Sequence, residues 1–223
     1  MNKPSTDKES ILHIVGSPTD EFTFRLNLFY ASSFDVKSHP QFQHKWALVR
    51  PKDKKWTFTQ DLTNFVPTDT DQLSKNSEVE WFDLPIAIAV ISTEIRPVLV
   101  LPHLFCLDGS TKCRSLLELM GIPFIGSSSQ RTVLAMNKTM TRSMMIECGI
   151  PCPPGKIIFE NINFNSDDIE YPCVVKPTTT EDSVGISLVK SPEGLDLAVK
   201  TAFTHRQVKL LVQNFITIDG TYS

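Results

Sequence analysis

The chain has 223 residues, a net charge of -3, and 41% hydrophobic and 21% charged residues. That length can bury one large or two small cores, and the charge balance gives no electrostatic reason to expect nucleic acid. No apolar run reaches the length of a membrane span, and the polar start, Met1 to Ser10, lacks the apolar centre of a secretory leader. The expectation is a soluble cytoplasmic protein without a membrane partner. The five cysteines are odd in number and hold no C-x-x-C pair, which argues against a disulfide framework and against a zinc site. Cys148 and Cys173, in apolar surroundings, are expected as buried free thiols.

Ile11 to Val15 is an apolar run that enters the turn Gly16-Ser-Pro-Thr-Asp20, with a helix predicted over Phe22 to Phe34. Residues 35–83 lack clean periodicity. Within them, Lys45 to Arg50 and Lys55 to Thr59 alternate like exposed strands. Ile86 to Ile91 and Pro97 to Leu101 are short apolar runs bounded by breakers, the pattern of buried parallel strands. A helix over Ser115 to Met120 is closed by Gly121, Ile122 to Ile125 reads as a short strand, and a helix over Gln130 to Cys148 is closed by Gly149. Strands alternating with helices predict a parallel α/β domain.

The pattern changes after the proline-rich stretch Pro151 to Pro154, a natural boundary because proline removes backbone donors. Lys156 to Phe159, Cys173 to Lys176, Ile186 to Val189 and Lys209 to Phe215 read as strands, and Pro192 to Thr204 as a helix, together a small α+β unit. Its most informative stretch is YPCVVKPTTTEDSVGISLVK, Tyr171 to Lys190: a buried strand ending at Lys176, a polar loop, then a second strand. A lysine offers a compact positive charge. Ser183, Gly185 and the loop amides can approach anionic oxygens closely, since glycine has no side chain to obstruct them. Taken alone the stretch is equally a surface hairpin, with Lys176 a solvated strand-end lysine.

Six motifs in order decide between these readings: L-E-L-M-G, I-P-F-x-G-S, A-M-N-K, G-I-P-x-P, V-V-K-P and S-V-G-I-S, from Leu117 to Ser187. They closely resemble the D-alanine–D-alanine ligases, a family of ATP-grasp enzymes; the resemblance runs from about Leu99 to Phe215, with the first hundred residues only faintly similar. It implies a parallel-sheet pre-ATP-grasp domain over residues 1–130, a small α+β ATP-grasp lid over residues 131–223, and a third domain beyond the last residue. It implies ATP and small amino acids as partners, a homodimer, and ligation of a carboxylate to an amine through an acyl phosphate. Lys138 and Lys176 take the two phosphate-contacting positions, and Ser183, Val184 and Gly185 match the phosphate-covering loop. Gln213 stands where the family has an adenine-side glutamate, with Asn214 and Ile216 supplying backbone contacts. On the substrate side, Asp20 or Glu21 is the nearest counterpart of an ammonium-orienting glutamate, and His103 follows its strand as the family histidine does.

The chain also departs from the pattern. Glu181 and Asp182 put carboxylates where the family loop is rich in glycine and serine, and like charge repels phosphate. The glycines after the family histidine are lost in His103-Leu-Phe-Cys-Leu-Asp-Gly109, and no clear ribose-binding glutamate precedes Asp219 to Ser223. The acyl-phosphate arginine and the magnesium ligands of the family fall in the third domain, so the chain as it stands is expected not to be a competent ligase. Two further readings stay open: a non-catalytic nucleotide-binding or interaction module, and an ATP-grasp ligase with other substrates.

Overall fold

The computed structural model describes residues 8–65, 79–160, 165–180, 183–205 and 208–216. The chain divides into two compact units, Met1–Thr132 and Val133–Ser223.

The first unit is built on a four-stranded sheet ordered β3-β2-β1-β4, from β1 (Ser10–Gly16), β2 (Gln43–Val49), β3 (Trp56–Thr59) and β4 (Leu99–His103). β1 runs parallel to β2 and β4, and only the edge strand β3 is antiparallel. Every residue of β1 is buried because the strand is central and covered on both faces. On one face Leu12, Ile14, Ala47, Val49 and Val100 pack with Ala87, Ile91 and Leu117; on the other Val15, Trp46 and Leu48 pack with Phe24, Leu28 and Ala31 of α1 (Glu21–Ser32). Gly16 ends β1 at φ +102°, where a Cβ would stand 2.3 Å from the Val49 carbonyl oxygen. Only glycine lets β1 turn so close to β2.

The α/β class therefore stands, with three corrections in this unit. Ile86 to Ile91 is not a strand: α2 (Leu84–Ala89) continues into a π-helical turn, Val90–Ile95. Asp83 and Pro85 open the helix, and Ala87, Ile91 and Ile95, four residues apart, bury one stripe. A short apolar run does not distinguish the two periods. β2 is not exposed but interior, with Trp46 to Val49 buried. Ile122 to Ile125 forms no strand beyond a single parallel bridge, Val100 to Phe124. A π-helical turn, Gly109–Cys113, leads into α3 (Arg114–Leu119).

The helix expected over Gln130 to Cys148 is two, α4 (Ser129–Met136) and α5 (Lys138–Glu147), the division between units falling within α4. Asn137 breaks it. Its backbone is extended at φ -103° and ψ 104°, and its Oδ1 accepts from the Met140 amide, the work of an N-cap. Cys148, just after α5, is exposed, while Cys173 is buried as expected; a residue at a helix end escapes the core that its apolar neighbours suggest.

The second unit holds a four-stranded antiparallel sheet ordered β5-β8-β6-β7, from β5 (Gly155–Phe159), β6 (Cys173–Pro177), β7 (Ser187–Val189) and β8 (Lys209–Asn214). Cys173, Val175, Leu210 and Val212 pack against Leu195, Ala198, Val199 and Ala202 of α6 (Leu195–Phe203). The alternation of β6 leaves Val174 and Lys176 on the opposite face. No helix among the described residues is long and apolar enough to cross a membrane.

Candidate functional site

In the second unit the strand register determines which polar groups meet. Lys176 lies opposite Leu211 and Val174 opposite Gln213, so Lys176 and Gln213 are diagonal neighbours on the face away from α6. The Lys176 Nζ donates to Gln213 Oε1 at 2.9 Å, and Gln213 Nε2 donates to the Pro153 carbonyl at 3.3 Å. Burial pushes the Lys176 pKa down, because a desolvated ammonium loses hydration. No carboxylate among the described residues pairs with it. The partner seen is a neutral amide.

Lys138, first residue of α5, donates its amide to the Thr178 carbonyl at 2.8 Å and its Nζ to the Thr180 carbonyl at 2.6 Å. The lysine is thereby tied to the loop that follows β6. Thr180 Oγ1 donates to the Val184 carbonyl at 2.7 Å, and the Ile186 amide to that of Ser183 at 3.2 Å. Ser183 and Gly185 have positive φ, 59° and 74°. At Gly185 a Cβ would stand 2.6 Å from His205 Cδ2 and 2.7 Å from Pro177 Cγ, so only glycine fits there. Val184 is exposed. Glu181 and Asp182, the acidic departure in this loop, lie outside the described residues, as do Asp219 to Ser223.

At the end of β8 the Asn214 amide is already engaged, donating to the Pro154 carbonyl at 2.8 Å. Its side chain hydrogen-bonds Glu170, which sequence reasoning did not single out. Ile216 is exposed beyond the strand.

In the first unit, Asp20 is the N-cap of α1: Oδ1 accepts from the Thr23 amide at 2.7 Å and Oδ2 from Thr19 Oγ1 at 2.9 Å. Both oxygens are occupied by local structure. Glu21, in the first turn, pairs with Arg25 at 3.3 Å. His103 ends β4 and is hydrogen-bonded to His13 at 3.0 Å. Two residues that carried no sequence signal hold this end of the sheet. Buried Asn27 donates to the Gly16 carbonyl at 2.6 Å and accepts from the Phe105 amide at 3.3 Å, joining the turn after β1 to the segment after β4. His13 is fully buried at the centre of β1, and both its ring nitrogens have partners.

The family model described as "D-ala D-ala ligase C-terminus" matches residues 154–221, the span of the second sheet and its loop. The chain is 39% identical over 111 residues to the D-alanine–D-alanine ligase of Geobacter sulfurreducens, covering 49% of this chain and 34% of that one. These matches bear out the resemblance to the D-alanine–D-alanine ligases. A longer match, 28% identical over 190 residues, joins it to the ligase of Caldicellulosiruptor bescii and covers 77% of this chain and 48% of that one. The chain thus spans about a third to a half of the length of these relatives.

The fold agrees over almost the whole chain. The VanG D-Ala:D-Ser ligase of Enterococcus faecalis superposes with a TM-score of 0.76 at 20% identity, over 95% of this chain and 64% of that one. The Coxiella burnetii D-alanine–D-alanine ligase gives 0.75 at 18% identity, over 95% and 62%. The D-alanine–D-alanine ligase of Bacillus anthracis complexed with ATP gives 0.61 at 16% identity, over 94% and 59%.

Proposed function

We propose that the chain carries the nucleotide lid and the first substrate domain of an ATP-dependent ligase that joins the carboxylate of one small amino acid to the amine of another. The observation that carries the reading is Lys176: a half-buried ammonium on a strand, next to a glycine-bearing loop, with no carboxylate partner among the described residues. Desolvating a cation is costly without an anion nearby. A nucleotide phosphate is that anion.

The chemistry ATP supplies when bound is a transferable phosphoryl group, which activates a carboxylate toward an amine. Lys176 and Lys138 place positive charge where charge develops during that transfer, and the rigid sheet holds Lys176 so that little reorganisation is needed. Ser183, Val184 and Gly185 close over the phosphates, the last with its backbone unobstructed. Gln213 holds Lys176 until the nucleotide arrives and offers its amide to the base. Asn214 and Ile216 border the base side; with the Asn214 amide engaged, their contacts there are carbonyls and apolar surface. In the first unit Glu21, rather than the capping Asp20, orients the ammonium of the amino acid, and His103 contacts it. Among the described residues no group of three or more His, Cys, Asp or Glu is placed to hold a metal ion. A cytoplasmic, homodimeric enzyme completes the proposal.

Calorimetric titration with ATP and magnesium tests it on wild type and Lys176→Ala. A hydrogen bond to a charged group is worth roughly 1.5–3 kcal/mol, so the variant should bind about 10- to 150-fold more weakly. Binding unchanged by the substitution sinks the assignment of Lys176. In a protein that continues through the third domain, phosphate release that depends on added D-alanine separates a ligase from a nucleotide-binding module.

A further inference from the structure

The three neighbouring parallel strands of the first sheet each place one histidine on the same face. In the register, His13 lies opposite Trp46 and Ile11 opposite His44, while Val15 lies opposite His103. Residues opposite one another in parallel strands share a face, so His44 and His103 flank His13 diagonally from the two sides. Their rings form a hydrogen-bonded row: His103 Nε2 to His13 Nδ1 at 3.0 Å, and His13 Nε2 to His44 Nδ1 at 2.8 Å. The His13 ring is stacked on Trp46, with centroids 4.0 Å apart and planes at 28°, nearly coplanar in orientation with His103 at 7°, and edged by Phe34 at 4.8 Å. It is wholly buried. The row is no metal cage. His13 meets its two partners through opposite nitrogens, so the three rings cannot converge on one ion.

Burial and the two neighbouring imidazoles keep His13 neutral at any ordinary pH, with its pKa lowered to about 3. A neutral imidazole has one N–H and one bare nitrogen. His13 therefore donates to one neighbour and accepts from the other. Because every link joins an Nε2 to an Nδ1, one direction of donation runs through the whole row: either all three rings carry the proton on Nδ1, or all three carry it on Nε2. His44 Nε2, the far end, is buried without a partner among the described residues. In the second arrangement that atom is an N–H denied an acceptor, and orphaned buried N–H groups are rare. The first leaves it a bare nitrogen.

We propose that His13 and His44 are positioning residues that fix the tautomer of His103, turning its Nε2 inward as an acceptor and leaving Nδ1–H as the donor offered to the carboxylate of an amino-acid substrate. This rests on the substrate-side reading of His103 above. It adds the direction of the hydrogen bond and the residues that set it. His13 never touches substrate in this scheme; it acts through His103.

Two-bond nitrogen–proton correlation spectra of the uniformly 15N-labelled protein at about pH 7.5 distinguish bare from protonated ring nitrogens. The expected spectrum has His13, His44 and His103 all in the Nδ1–H form. Mixed or averaged tautomers at His103, or an Nε2–H form at any of the three, overturns the proposal, and this wild-type measurement needs no variant to fold. His13→Phe, which keeps an aromatic ring against Trp46, should release His103 to an averaged tautomer, whereas a merely structural His13 would leave the His103 signals unmoved. Adding D-alanine should shift the His103 ring nitrogens. Silence at His103 with the common tautomer intact overturns its substrate role without bearing on ATP, which the Lys176 titration reads separately.

Discussion

At the scale of single residues, the physical state of a group is set by neighbours that lie far away in the chain. His13 shows it most plainly. Its sequence setting, Leu12-His-Ile14, announces a strand but no chemistry, yet its partners stand 31 and 90 positions away. Its pKa, lowered to about 3, also makes it a liability in acid. The folded pKa lies below the ordinary value of 6.5, so the unfolded chain takes up a proton that the folded protein refuses. Stability is then full above pH 6.5 and falls as pH drops toward 3, by up to about 1.4 kcal/mol per pH unit. Burial lowers His103 in the same direction. Urea unfolding should show midpoints dropping between about pH 6.5 and pH 5, before most carboxylates titrate. A flat profile across that window would contradict the burial of His13. Lys176 is the opposite case, since its place in the V-V-K-P motif made it a candidate before any partner was known. The depressed pKa and the pairing with Gln213 emerged only from register.

Elements were legible where a strong local signal existed and misread where two signals competed. Gly16 and Asp20 bracket the turn into α1, and the helix expected over Phe22 to Phe34 is found over Glu21–Ser32. Ile86 to Ile91, by contrast, was apolar enough to pass for a buried strand. The Asp83-Leu-Pro85 start and the four-residue spacing of Ala87, Ile91 and Ile95 were the evidence for a helix, and it became decisive only once that stripe was seen against β1 and β4. At Asn137 the apolar periodicity on both sides concealed a cap. Asn137 Oδ1 accepts from the Met140 amide at 3.1 Å and from Thr139 Oγ1 at 2.8 Å, so the side chain starts the second helix while the extended backbone of Asn137 ends the first. Asn137→Ala should cost about 1 kcal/mol of stability, within the usual 0.5–2 kcal/mol for a lost N-cap. It should also loosen the first turn of α5, from which Lys138 reaches Thr180. Equilibrium unfolding and amide exchange at Met140 check this; wild-type stability with unchanged exchange would show that the cap does not matter.

For the whole molecule, the division into Met1–Thr132 and Val133–Ser223 has an energetic counterpart. The hydrophobic clusters of the first sheet and that of the second share no residue. Each unit therefore has its own core and can lose it separately. Leu210, fully buried on β8 beneath α6, is the place to test this. Leu210→Ala should destabilise the second unit by about 2–5 kcal/mol. Hydrogen exchange should then show β5, β6 and β8 losing protection while β1, β2 and β4 keep theirs. Equal loss in both sheets would mean that the two cores melt as one.

Much of the second unit was readable from sequence, because its features are local. A strand ending in lysine, a loop that needs glycine and a second strand lie within twenty residues, and backbone sterics tie those residue types to those conformations. The resemblance to the ligases was legible for the same reason, in motifs that follow one another along the chain. In the first unit β1, β2, β3, β4, α1 and α3 were legible as elements, but not how they pack. Its interior is assembled from strands separated by as many as 90 positions, and no local pattern records which residues will face each other across parallel strands. Sequence alone determined the α/β class, the resemblance to the ligases and the lysines worth testing. Tertiary structure alone decided that β2 is interior, that Lys176 rests on a neutral amide, and that His13, His44 and His103 form one row, because each depends on register and burial, which arise only when distant segments pack.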